Sequence, residues 1–206
     1  MTVVFRRLTL AASLVLAAMP LHATTYTIEP DYTQGVFRWN HLGFSTPAAQ
    51  VSQGQGTLEF DPASPTRASV NVTIPLTSLN TGVPALDEHL RSEDFFEVAK
   101  FPTASFRSTK VEQGAGKDRL KVTGELNLHG VTKPVTLEVT VLKVGTNPRT
   151  SLPTVGFEAT TTLKRSDFGL GAFVPQVSDE IRLQLTSQGV EAKGYADYLK
   201  KQAEKQ

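Results

Sequence analysis

Along most of this chain apolar and polar residues alternate one by one, the period of a β-strand with a single buried face. Tyr26 to Ile28 and Val36 to Leu42 make the first such region. Within it Phe37, Trp39 and His41 share one face, and Arg38 and Asn40 the other. Phe44-Ser45-Thr46-Pro47 ends it. Gly54, Gly56, Leu58 and Phe60 line up next, closed by an Asp61-Pro62 turn. Val70, Val72, Ile74 and Leu76 alternate with Ser69, Asn71 and Thr73, and a further strand covers Ala104 to Val111. The clearest unit runs from Leu120 to Val144, two long period-two runs around His129-Gly130, which predicts a β-hairpin with a tight glycine turn. Val155 to Leu163 and Ile181 to Leu185 supply the last two strands, separated by a loop from Lys164 to Asp179.

The period changes once, between Leu86 and Phe106. Leu86 and Leu90 have helical spacing with charges between them, and Phe95 and Phe96 follow. Pro84 sits where a helix tolerates proline, at its first turn. Ser92, followed by Glu93 and Asp94, is placed to cap a second short turn. Pro102 stops helix continuation and returns the chain to a strand. An aromatic-rich helical insert therefore interrupts a β-protein, either as a plug for its core or as the wall of a cavity. Beyond Gly194, residues Tyr195 to Gln206 have the spacing of a short tail helix.

Strands with one apolar face must bury it, in a two-sheet sandwich or in a sheet closed on itself. The strands are long for an immunoglobulin-type sandwich, whose turn signals recur every ~8–12 residues. About eight long up-and-down strands favour an all-β, eight-stranded antiparallel barrel, a size that either fills its interior or holds one small ligand. Gly54, Gly56, Gly124 and Ala159 on inward faces leave space, although glycine in a strand also marks bends and bulges.

The first residues carry an address. Arg6 and Arg7 precede an apolar run from Leu8 to Ala18, too short to span a bilayer, and Leu21-His22-Ala23 resembles a small-residue cleavage site. Residues 1–23 are thus expected to be a signal peptide, 24–193 the barrel domain and 194–206 a tail. No later stretch is long and apolar enough to cross a membrane as a helix, so export to the periplasm is the expectation. The formal charge of +1 loses Arg6 and Arg7 with the signal, and the rest is near neutral with charges dispersed, without the basic footprint of a nucleic-acid binder. The chain has no cysteine, which excludes disulfides, thiol catalysis and zinc–thiolate sites.

Catalytic motifs are missing: no G-x-S-x-G, no H-E-x-x-H and no glycine-rich phosphate loop occurs. His41, His89 and His129 are isolated and not at metal-ligand spacing, so no metal or cofactor is expected. The acids at Asp87-Glu88 and Glu93-Asp94-Glu97 fit capping and solvation better than an opposed acid pair. Arg91 among them fits a surface ion pair, or alternatively an inward contact with a polar head group. Phe95, Phe96, Phe101 and Phe106 are, on residue burial alone, more often core than ligand wall.

HLGF at His41 to Phe44, HLRSEDFFEVAKFPTASFRS at His89 to Ser108, GELNLHGVTKPVTLEVTV at Gly124 to Val141, and the late FEATTTLKRSDFGL and VSDEIRLQL together resemble the YceI family of bacterial periplasmic proteins. The resemblance covers nearly all of the chain after residue 23, in the expected order. It implies an extended lipocalin-like antiparallel barrel with a helical insert, often dimeric, whose lumen holds a polyisoprenoid or a quinone-like amphiphile, and it implies no enzymatic reaction. On that basis Phe37, Trp39, Phe44, Val72, Ile74, Phe95, Phe96, Phe106, Leu126 and Phe157 are expected to line the lumen, with His41 as a polar contact near a head group. Ala48-Ala49-Gln50-Val51 departs from the glycine-plus-aromatic pattern common at that place in the family. Two other readings stand beside this one. One is an enzyme acting on such a lipid in the same cavity, for which His41 is the sole titratable candidate. The other is a barrel filled with its own side chains.

Overall fold

The computed structural model describes residues 23–205. The expected signal peptide, apart from Ala23, lies outside them. Ten strands form one sheet: β1 (Thr24–Ile28), β2 (Gln34–Arg38), β3 (Ala48–Ser52), β4 (Gln55–Phe60), β5 (Ser69–Pro75), β6 (Thr103–Gln113), β7 (Arg119–Leu128), β8 (Val131–Thr146), β9 (Pro153–Lys164) and β10 (Glu180–Glu191). Two helices accompany them, α1 (Pro84–Arg91) after β5 and α2 (Ala192–Ala203) at the C-terminal end.

The sheet closes because β10 is paired along both edges. One edge meets β9 over its whole length, from Glu180↔Lys164 to Val190↔Thr154. The other meets β2 at Arg182–Thr186 and β1 at Gly189–Glu191. β1 and β2 are therefore two halves of one stave, broken by the turn at Pro30–Tyr32. β3 and β4 divide the next stave in the same way, β3 on β2 and β4 on β1, with Gln53 at φ 63° between them. Counted as staves, the ten strands make a closed eight-stranded antiparallel barrel. The break at Pro30 has a physical cause, since proline has no N–H to donate to the ladder.

Alternation places the faces as expected. Leu120 and Val122 of β7, Val135, Leu137 and Val139 of β8 and Ala159 of β9 point inward and are buried. The hairpin turn at His129-Gly130 is two residues long, with φ 52° and 74°, the left-handed pair that lets a tight turn follow the strand twist. β6 and β8 each carry one irregularity, at Ser108/Lys110 and at Val141/Lys143, which bends those long staves.

One barrel end is sealed and the other is built up. At the sealed end Tyr26, Ile28, Leu58, Phe60 and Val155 form a tight cluster, with Phe60 and Phe157 edge to face at 5.6 Å. There α2 begins on Glu191, whose carboxylate accepts from the amides of Lys193 and Gly194 at 3.1 and 2.7 Å, and it buries Tyr195. The opposite end carries the connections 39–47, 76–102, 129–130 and 165–179.

Glycine packing at the staves can be tested. A Cβ on Gly56 would lie 2.0 Å from the carbonyl oxygen of Asn71 on the adjacent stave, at a φ of 156°. Gly43, at φ 79°, has open space around it. Urea denaturation should show Gly56→Ala losing about 2 kcal/mol or more through steric overlap, against about 1 kcal/mol for the purely conformational cost in Gly43→Ala.

Candidate ligand-binding lumen

The interior is not filled. Cavities of about 430, 160 and 140 Å³ follow one another along the barrel axis, from the built-up end to the sealed one. The first two share Phe37, Phe96, Leu128 and Leu163 in their walls, and the last two share Val72, Ile74, Phe106, Leu137 and Leu185. Many inward-facing side chains, among them Phe37, Val72, Ile74, Phe96 and Leu126, are only half-buried although they point to the axis. They pack against the buried clusters on one side and border the cavities on the other, which goes against the filled-barrel reading.

The largest of these three lies at the mouth, under the insert. Pro84 takes the first turn of α1, and the Asp87 carboxylate accepts from the Thr81 amide at 2.6 Å and the Thr81 hydroxyl at 2.7 Å. Leu90 and Val98 are buried against Trp39, Ala49, Leu76 and Leu79, so the insert is anchored to the rim of the barrel. After Arg91 the chain continues as turns: Ser92 ends α1, and its hydroxyl accepts from the Asp94 amide at 3.3 Å, capping the short turn that follows. Arg91 donates to the Leu79 carbonyl, which ties the insert to the barrel, and its charge also favours the Asp87 carboxylate nearby. Phe96 turns inward to meet Phe37 edge to face at 5.9 Å. Phe95 stays at the opening, 5.0 Å from the His89 ring and 6.0 Å from Phe173.

The facing wall is the 165–179 connection, held by a buried charge. Arg165 is 7% exposed and donates to three main-chain carbonyls, those of Ser178 and Val177 at 2.9 Å each and that of Leu170. This uses three of its five N–H groups, and the residue borders the mouth cavity. Burial disfavours its charge, and the Asp179 carboxylate partly offsets that. Asp179 itself accepts from the Ser166 amide at 2.9 Å and its hydroxyl at 2.8 Å. His129 joins the two walls: its Nδ1 is 3.1 Å from the Phe168 carbonyl and its Nε2 3.6 Å from Glu97, with the Phe101 ring 4.7 Å away.

Ten of the eleven expected positions border these cavities. Phe37, Trp39, His41, Phe95 and Phe96 surround the mouth cavity, Val72, Ile74, Phe106 and Leu126 the middle, and Phe157 the sealed end. Phe44 is the exception and a correction: it is 92% exposed and lines nothing. Strand β2 stops at Arg38, and residues 41–45 fold into a tight loop with Leu42 and Gly43 both at positive φ, so alternation no longer sets the direction of Phe44. Val51, from the segment that departs from the family pattern, borders the middle cavity. Gly56 and Gly124 mark close backbone approach to the neighbouring stave more than open space. Arg165 escaped notice in the sequence, because partners that are all backbone carbonyls leave no side-chain signature. Its setting in KRSDFG, immediately after a strand, was the available cue.

Residues 26–188 match the YceI-like domain model. Protein YceI of Escherichia coli O157:H7 is 39% identical over 184 residues, covering 88% of this chain and 95% of that one. Among solved structures, the YCEI protein of Campylobacter jejuni superposes with a TM-score of 0.64 at 28% identity, covering 75% of this chain and 90% of that one. A domain from Saccharophagus degradans, described as polyisoprenoid-binding and implicated in plant cell wall breakdown, has a TM-score of 0.64 at 16% identity, covering 82% and 99%. That last likeness speaks to the fold alone.

The two carboxylates that clamp the mouth give it a pH dependence. Hydrogen bonds from Thr81 hold the Asp87 carboxyl below its ordinary range, and those from Ser166 do the same for Asp179. Groups with a depressed folded-state pKa contribute fully above their unfolded value, about pH 4, and lose that contribution as pH falls through the folded value. Thermal unfolding followed from pH 7 downward should stay level to about pH 4 and then fall. Asp87→Asn with Asp179→Asn should begin lower and show a shallower acid limb.

Proposed function

The chain belongs to the YceI family, and from that membership we propose that its barrel binds a long-chain isoprenoid or quinone-like lipid, acting as a carrier in the periplasm. The observation that carries the reading is the unfilled apolar lumen running from the mouth to the Phe60–Phe157 seal. Each methylene removed from water contributes about 0.8 kcal/mol, so an extended chain needs few polar contacts to be retained. The walls suit such a ligand, with aromatic and branched aliphatic side chains along the shaft and polar groups gathered at the mouth.

Phe37, Trp39, Val72, Ile74, Phe96, Phe106, Leu126 and Phe157 would hold the chain, and Phe95 the opening. A polar head would remain at the mouth, beside His41 and the unclaimed donors of Arg165. The Saccharophagus degradans domain, described as polyisoprenoid-binding, agrees in kind with this ligand class. Binding fits the lumen better than catalysis, since the histidines at the mouth, His41 and His89, are exposed and the shaft walls carry no ionisable group. Among the described residues no helix is long and apolar enough to cross a membrane. The basic and apolar start of the sequence supports export, with cleavage after Ala23 releasing residues 24–206.

Trp39, the single tryptophan of the chain, borders the mouth cavity and supplies a fluorescence probe. Protein isolated from the periplasm without detergent should yield a stoichiometric long-chain lipid on organic extraction and native mass spectrometry. Titration with geranylgeraniol should change the Trp39 emission. Phe37→Asp and Phe96→Asp place a charge in the lumen and should weaken retention at least tenfold, roughly the effect of one unpaired polar group in an apolar site. Folded variants that keep their full lipid content would remove the lumen from the binding role.

A further inference from the structure

The mouth carries an apolar rim that the lumen itself does not require. Phe44 is 92% exposed, Phe173 59%, Leu42 50% and Val174 37%. Leu42 and Phe173 show one side to solvent and border the mouth cavity with the other, so the rim is continuous with the lumen. The two loops that present these residues are bonded to each other. The Leu42 amide donates to the Gln176 carbonyl at 3.0 Å, the Ser178 amide donates to the Asn40 carbonyl at 3.0 Å, and the Asn40 amide donates to the Ser178 hydroxyl at 2.9 Å. Both Leu42 and Phe173 are held at positive φ, 56° and 61°, a conformation unfavourable for such bulky residues. Large apolar side chains are thus fixed outward on a stiff support, where small polar residues would be the less costly choice.

Below the rim, on the outer wall of the same staves, Arg38 of β2 and Arg182 of β10 sit directly opposite each other. Both are exposed, and neither makes an ion pair among the described residues. Like charges directly opposed across strands are unfavourable unless an anion lies between or above them. The insert side of the mouth has the opposite sign, with Glu88, Glu93 and Asp94 exposed. The β2–β10 side also carries exposed Glu180 and has Glu138 beside the two arginines, but Glu138 already pairs with Lys121, and the opposed Arg38 and Arg182 make this the side of the mouth suited to an anionic surface.

We propose that the rim formed by Leu42, Phe44, Phe173 and Val174 docks the barrel mouth onto an anionic lipid bilayer, with Arg38 and Arg182 meeting headgroup phosphates. This rests on the lipid-binding reading of the lumen and adds the route by which the ligand enters and leaves. Apolar side chains that reach the acyl boundary beside basic residues at headgroup level are the general pattern of interfacial membrane attachment. Since Leu42 and Phe173 border the mouth cavity and are themselves exposed, an apolar chain can pass from bilayer to lumen along them without crossing water. A second copy of the chain is a poorer occupant. The four side chains offer on the order of 400 Å², about half of what one partner of a stable interface buries.

The test uses the full mature chain, sedimented with phosphatidylethanolamine–phosphatidylglycerol vesicles and with phosphatidylcholine vesicles. Phe44 touches no lumen, so Phe44→Ser keeps the cavity intact, and Arg38→Gln with Arg182→Gln removes a repulsive pair. The wild type should prefer the anionic vesicles. Phe44→Ser should lower association with both about tenfold, in line with the loss of one inserted phenylalanine. The arginine variant should reduce binding to the anionic vesicles to the level seen with phosphatidylcholine. Geranylgeraniol binding, read from Trp39, should be unchanged in all three proteins. Vesicle association unaffected by Phe44→Ser would overturn the docking proposal and leave the lumen reading standing. A wild-type dimer that Phe44→Ser converts to monomer would overturn it in favour of a second copy. Docking that depends on Phe44 in a protein that never binds geranylgeraniol would uphold the rim and remove the lumen reading.

Discussion

The structure depends on the double pairing of β10. A strand hydrogen-bonded along both edges to β9 on one side and to β1 and β2 on the other turns an open sheet into a ring. Closure leaves little free edge: among the described residues only β3 is paired by a ladder on one side alone, and there Gln50 bridges to Asn80 from the connection to the insert. A protein without cysteine has no cross-link to fall back on. Because the ring is held by its ladders, by apolar clusters at its two ends and by the cluster along β6–β9 around Leu120, Val122, Leu137 and Val139, the axis itself need not be solid. Half-buried phenylalanines and valines facing an empty axis are tolerable in a closed barrel. In a sandwich they would be a packing defect of the kind that costs kilocalories per cavity.

The two ends answer different demands. At the sealed end, side chains of the first stave and of β4 and β9 pack to near-complete burial, and α2 covers them from outside. The mouth has to remain passable, and the chain there is held by polar anchors more than by packing. Asp87 holds the Thr81 turn, Asp179 holds Ser166, Arg165 gathers three carbonyls and His129 bridges the two walls. Each anchor satisfies backbone groups that would otherwise be stranded in a loop close to an apolar cavity. Loops fixed in this way can hold a hole open. Loops fixed by hydrophobic collapse would close it.

Most of the barrel was legible in the alternation of the sequence because the period of a strand maps directly onto inside and outside. The face of Phe37 and Trp39, the hairpin around His129-Gly130 and the change of period at the insert were all read this way. Three things were not. The split staves could not be seen because β1 and β2 share a partner, a property of β10 and not of either segment. Phe44 was misplaced because alternation has no meaning once Leu42 and Gly43 turn left-handed. Arg165 was overlooked because a guanidinium that binds only backbone carbonyls needs no acid at a recognisable spacing. In each case the missing information was the path of another segment.

An apolar lumen that retains a lipid well creates a difficulty on release. If retention arises from excluding water from a long chain, at about 0.8 kcal/mol per methylene, the same energy opposes passage of that chain through water. Loosening the walls would speed release only by weakening retention to the same degree. A mouth that meets another apolar phase directly avoids this conflict, since the chain exchanges one oily environment for another and the barrier no longer scales with its length. The rim at Leu42 and Phe173, continuous with the lumen on one side and exposed on the other, is the part of the molecule with the geometry for that exchange. On this view the polar anchors of the mouth and its exposed apolar rim are complementary: the anchors keep the opening from collapsing onto itself, and the rim sets what the opening faces.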